Sequence, residues 1–173
     1  VKTLLWARGG YKIVTFGSDE VHAHLKAAYQ PGGERAFDAD FMATVYERPF
    51  EVEKAETLAD ARRSVSSASS VGRHLNGCRI GFDAGGSDRK VSAVIDGEAV
   101  YSEEVVWHPK TQSDPQYHYD GILSAMKSAA AHMPRVDAIG VSSAGVYIDN
   151  KIMVASLFLK VSKEDFARKV KTM

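Results

Sequence analysis

An α/β fold with a mixed sheet is predicted by two observations. Residues 78–107 hold three strand-like runs joined by tight turns, and a capped helix and an apolar strand follow directly. A third observation sets the boundary of that half. The run Ser64-Val65-Ser66-Ser67-Ala68-Ser69-Ser70 buries little apolar surface and offers hydroxyls to nearby backbone, so it reads as a linker. The expected domains are residues 1–75, a small α/β extension of unassigned role, and residues 76–173.

In the first segment Lys12–Phe16 reads as a strand after a Gly9-Gly10 turn. Ser18 is placed to cap a helix whose first turn carries Asp19 and Glu20, charges that suit the positive helix end. Val21, Leu25 and Ala28 share one face of it, and Pro31-Gly32-Gly33 stops it. After a loop, a second helix is expected from about Val52 to Arg63, with Ala55, Leu58 and Ala59 inward.

In the second segment Cys78–Asp83 is a short strand with a glycine-rich exit, and Val91–Ile95 is the next strand. Asp96-Gly97 marks a hairpin, since both residues tolerate the positive φ of a tight turn. Ala99–Trp107 is the third strand. Asp114 caps a helix with Pro115 at its first position, where a missing amide proton costs nothing. Ile122, Met126, Ala129 and Met133 form its apolar stripe, and Pro134 ends it. Val136–Val141 is an apolar strand, and strand, crossover helix and strand favour a right-handed parallel unit. Ser162 begins a last helix, with Asp165 completing a capping box.

Composition narrows the function classes. Lys and Arg number 22 and match the 22 Asp and Glu, so no net field draws the chain to nucleic acid or an anionic membrane. No apolar run reaches the ~18 residues of a bilayer span. One cysteine, Cys78, permits no internal disulfide and reads as a small core residue. A cytoplasmic location is expected. The histidines lack the spacing of a metal motif, and Asp60-Ala61-Arg62-Arg63 reads as a solvated helix face.

The stretch with chemical content is Asp83-Ala84-Gly85-Gly86-Ser87, which runs into Lys90. It lies between two strands, unlike a Rossmann fingerprint or a Walker loop, in which a helix opens at the glycines. Two glycines let backbone amides approach an anion, with Ser87 as a hydroxyl donor and Lys90 as a cation. Asp83 would repel a phosphate directly, and fits one through a Mg²⁺ ion or its waters. The same residues also make an ordinary turn.

Asp83-Ala84-Gly85-Gly86-Ser87 resembles the first phosphate motif of the actin, Hsp70 and sugar-kinase superfamily. In particular it is similar to the Asp-x-Gly-Gly-Thr of the ROK family (repressors, uncharacterised open reading frames and sugar kinases), with Ser87 in place of Thr. Ala138–Asp149 resembles the ROK segment in which a strand ends in a glycine loop beside the sugar, with Ala144 where many members have Pro. The resemblance covers about residues 78–160. It implies an actin-like (ribonuclease H-like) ATPase lobe and an ATP-dependent carbohydrate kinase using ATP and Mg²⁺. Gly85, Gly86, Ser87 and Lys90 would hold nucleotide phosphate, Asp83 would face Mg²⁺, and Ser142, Ser143, Gly145 and Asp149 would meet the sugar. Asp149-Asn150 also reads as a turn pair. The implied partners are a small-molecule carbohydrate and a nucleotide, with no nucleic acid or membrane and a homodimer as a candidate assembly. The family's catalytic aspartate follows an Asn, and the chain has no Asn-Asp pair. The base is therefore expected in a second half beyond Met173, with this chain the N-terminal part of a longer protein. The alternatives are a non-catalytic ROK-type sugar sensor, an activase or ATPase of the same superfamily, and an inactive fragment held by a partner chain. A lone cysteine disfavours the cluster-bearing activase, and residues 1–75 show no basic recognition helix.

Overall fold

The computed structural model describes residues 1–61, 72 and 74–173. The chain divides into two compact units, Val1–Ser69 and Ser70–Met173. The expected linker Ser64–Ser70 lies outside the described residues, as do Arg62 and Arg63 of the expected second helix. No helix among the described residues is long and apolar enough to cross a membrane.

The first unit runs α1 (Lys2–Arg8), β1 (Lys12–Phe16), α2 (Asp19–Ala28), α3 (Ala36–Tyr46) and β2 (Glu51–Ala55). The Ser18 hydroxyl caps α2 by accepting from the Val21 amide at 3.2 Å. Two expectations fail here. The helix expected from Val52 is instead strand β2, which pairs in parallel with β1 from Lys12↔Glu51 to Phe16↔Ala55. Glu, Lys and Ala favour helix locally, but the ladder to β1 overrides that preference. Lys12 reinforces the ladder, its ammonium lying 2.8 Å from Glu51 and 2.7 Å from Glu53. The expected loop contains α3, which buries Ala39 and Met42 against Leu5 and Tyr29.

The second unit carries the predicted meander. Strands β3 (Cys78–Ala84), β4 (Asp88–Ile95) and β5 (Glu98–Val106) pair antiparallel in sequence. Asp96 and Gly97 turn the chain between β4 and β5 at φ 49 and 90. Helix α4 (Pro115–Ala130) then crosses to β6 (Ala138–Ser143), which runs parallel to β3. The sheet order is β5-β4-β3-β6, a mixed four-stranded sheet. Asp114 caps α4, accepting from the Gln116 amide at 3.0 Å. The buried face of α4 runs through His118, Gly121, Ala125 and Ala129. Of the expected stripe only Ala129 is fully buried. Ile122 and Met126 pack at its margin, and Met133 lies past the helix end. Gly121 is required where it stands, since a Cβ there would lie 2.9 Å from the Trp107 ring and 3.0 Å from Arg89. The helix covers one sheet face, burying Ile80, Phe82, Val91 and Ala93. Cys78 is also buried.

Beyond β6 the chain forms a second hairpin, β7 (Gly145–Ile148) and β8 (Lys151–Ala155). Ser162 then caps α5 (Lys163–Asp165), which continues as a wider π turn over Phe166–Val170.

Candidate functional site

Strand alternation places every second residue of β3 on the face away from α4. The register then writes two rows across the sheet. One row is Gly140–Gly81–Ser92–Ser102, and the next is Ser142–Asp83–Lys90–Glu104. The first row has almost no side-chain bulk. A Cβ on Gly140 would meet nothing within 4 Å, and one on Gly81 only the Ser92 hydroxyl, at 3.0 Å. The result is an open cleft of about 730 Å³ lined by the first row, by Ser142, Asp83 and Lys90 of the second, and by Asn150 from the β7–β8 turn.

The charged row is asymmetric. The Lys90 ammonium lies 3.2 Å from Asp88 and 3.7 Å from Glu104. Its hydrogen bond to Asp88, the charges of Asp88 and Glu104, and weakly that of Asp83 hold Lys90 above the usual lysine range. Asp83 is half-buried and borders the cleft. Among the described residues no hydrogen bond or ion pair reaches its carboxylate. Its charge acts on the Lys90 ammonium across the strand pair, and the open cleft leaves the carboxylate within reach of a further cation.

Gly85, Gly86 and Ser87 link β3 to β4 at the end of this cleft. Trp107 holds the bend from one side. Its indole N–H donates to the Gly85 carbonyl at 2.9 Å, and its backbone N–H donates to the Ser87 carbonyl at 3.0 Å. A trans peptide points its N–H opposite its C=O, so the Gly86 amide is turned away from the indole. Among the described residues the amides of Gly85, Gly86 and Ser87 donate to no protein acceptor. Neither glycine has a positive φ. They are small because of their neighbours: a Cβ on Gly85 would sit 2.5 Å from the Asp88 carbonyl oxygen, and one on Gly86 2.5 Å from Lys110 Cε.

The structure brings Asp83, Lys90 and Ser142 to the cleft, and sets the Gly85–Ser87 bend at its end. The other residues expected at the sugar lie elsewhere. Ser143 donates to the Ala84 carbonyl at 3.4 Å. Gly145 belongs to β7, where a Cβ would meet the Val154 carbonyl oxygen at 2.5 Å. Asp149 forms the β7–β8 turn with Asn150, at φ 50 and 62. The expected glycine loop is therefore a strand end and a hairpin, because β6 extends along β3 as far as Ser143. Sequence reasoning passed over Gly81, Ser92, Ser102, Gly140 and Asn150. The first two were within reach of the alternation that marks Ile80 and Phe82 as core.

Mg²⁺ is implied by the resemblance, and the donor set fits it in a limited way. The described residues contain no group of three or more His, Cys, Asp or Glu able to cage a metal. A lone unpaired carboxylate suits an ion held mainly by water and phosphate.

No family model matches the chain, and no curated protein matches it. Among solved structures the chain is similar to a Listeria monocytogenes protein described as a candidate N-acetylmannosamine kinase. The TM-score is 0.34 and the identity 25%, over 56% of this chain and 33% of that one. This chain thus spans about a third of that structure's length.

Proposed function

We propose that residues 76–173 form part of the nucleotide-binding lobe of an ATP-dependent carbohydrate kinase of ROK type, with an actin-like fold, and that residues 1–75 are an extension of it. The observation that carries this reading is the bend at Gly85–Ser87. Two of its carbonyls, of Gly85 and Ser87, are held by Trp107, its three amides donate to no protein acceptor among the described residues, and Asp83 lies on the adjoining cleft face. Unpaired amides at a glycine turn are a common cradle for phosphate oxygens. In this reading the amides of Gly85 and Gly86 and the Ser87 hydroxyl take nucleotide phosphate. Asp83 orients the waters of Mg²⁺, which when bound would neutralise phosphate charge. The Gly140–Gly81–Ser92–Ser102 floor leaves room for a substrate, with Ser142 and Asn150 as hydrogen-bonding groups at its edge. The base that activates the sugar hydroxyl comes from a second lobe. Rate then derives from positioning and charge neutralisation.

The test is ADP release by the full-length protein across a panel of free hexoses and N-acetylhexosamines, with the product identified by mass spectrometry. One sugar is expected to stimulate ADP release, and Asp83→Asn to lower that rate by roughly two to three orders of magnitude. Tight sugar binding with no phosphorylated product would sink the kinase reading in favour of a sensor.

A further inference from the structure

We infer that Lys110, and not Lys90, is the cation that meets the nucleotide polyphosphate at the Gly85–Ser87 bend. The inference rests on the nucleotide reading above and assigns a residue that the glycine motif does not contain.

Geometry is the first ground. Lys110 stands in a single 3₁₀ turn, Pro109–Thr111, that follows β5. Its side chain lies across Gly86, so that a Cβ there would fall 2.5 Å from Lys110 Cε and 2.6 Å from Nζ. The ammonium is thus beside the bare backbone whose amides are unpaired. Gly86 lacks a side chain in a place where one would displace this lysine.

Electrostatics is the second ground. A phosphate approaching Lys90 meets Asp88, Glu104 and Asp83 around it, and the first two already hold its ammonium. Among the described residues Lys110 has no hydrogen bond or ion pair. An ammonium on a flexible stem suits phosphate as a point charge.

The third ground is that the fold holds the Lys110 turn in place. Pro109 is buried, and its carbonyl accepts from Nε2–H of the fully buried His118 at 3.0 Å. The same N–H faces the Leu157 carbonyl at 3.0 Å. The other ring nitrogen, Nδ1, lies 3.2 Å from the Asp114 carbonyl, so His118 ties the turn to the start of α4 as well. Thr111 closes the turn by donating to the His108 carbonyl at 2.9 Å. Trp107, two residues before Pro109, is the residue that holds the bend. The backbone turn that carries Lys110 and the Gly85–Ser87 bend are therefore both held by contacts from the short stretch Trp107–Thr111.

The test is NMR titration of ATP–Mg²⁺ into the protein, following the backbone amides of Gly85, Gly86 and Ser87. Three variants are compared with wild type: Lys110→Met, Gly86→Ala and Lys90→Met. Wild type is expected to shift at these amides. Lys110→Met should weaken Kd about tenfold, Gly86→Ala should weaken it by displacing the lysine, and Lys90→Met should stay within about twofold. Equal affinity in Lys110→Met and wild type would overturn the inference and leave the nucleotide reading standing. So would a larger loss in Lys90→Met than in Lys110→Met. Absence of any shift in wild type would overturn both.

Discussion

On one face of the β5-β4-β3-β6 sheet Ile80, Phe82, Val91 and Ala93 are buried under α4. On the other, one residue along the same strands, Gly81, Asp83, Lys90 and Ser92 line an open cleft. Both faces come from one alternating pattern, yet they are built on different rules. The covered face is filled with apolar volume. The open face could have been covered throughout by long solvated side chains, as exposed sheet faces are, and instead carries a row of glycine and serine beside the row that holds Asp83, Lys90 and Glu104. The difference teaches that a packed core and an open, lightly built surface can alternate here at single-residue spacing.

The largest expected effect tests the covered face. Phe82→Ala removes a ring that is 3% exposed, and should cost about 3–5 kcal/mol, read as a lowered midpoint in urea unfolding. Gly140→Leu makes the opposite test. Its Cβ meets nothing within 4 Å, so stability should change by no more than about 0.5 kcal/mol. The side chain would nonetheless occupy the cleft floor and abolish ligand binding measured by calorimetry. If instead Gly140→Leu unfolds the protein, the two faces are not separable.

A smaller effect is confined to acid. Asp137 fastens β6 to β3, accepting from the Cys78 amide at 2.8 Å and from Arg135 at 2.7 Å. The Arg135 hydrogen bond first, and then the Cys78 amide, hold its carboxyl below the usual range. A depressed folded value stabilises above the unfolded value of about 3.9, and that contribution is lost as pH falls through the folded value. Asp137→Asn should therefore flatten the fall in melting temperature below about pH 4. An unchanged acid slope would show that the clasp is not coupled to folding.

The meander was legible because its signals are local: alternation in Cys78–Asp83, the Asp96-Gly97 turn, and the Asp114-Pro115 cap. Strand β2 was not, since Glu51–Ala55 is a strand only through pairing with β1, 35 or more residues earlier in the chain. Helix α3 was hidden for another reason. Its first residue follows Arg35, which makes no side-chain cap, and apolar residues surround the helix without forming one stripe. The Gly85-Gly86 bend stood out in the sequence, but its partners did not. Trp107 and Lys110 lie more than twenty residues downstream, and only the packing of β5 and its following turn brings them to it. The placement of Ser143, Gly145 and Asp149 depended on where β6 ends, a boundary set by its register with β3.

The central claim is that Asp83 and the unpaired amides beside it form a Mg²⁺–nucleotide site. Calorimetric titration of ATP into the protein, with Mg²⁺ and with EDTA, for wild type and Asp83→Ala, tests it most directly. The account predicts tighter binding with Mg²⁺ in wild type and loss of that difference in Asp83→Ala. The same affinity and the same Mg²⁺ dependence in both proteins would contradict it.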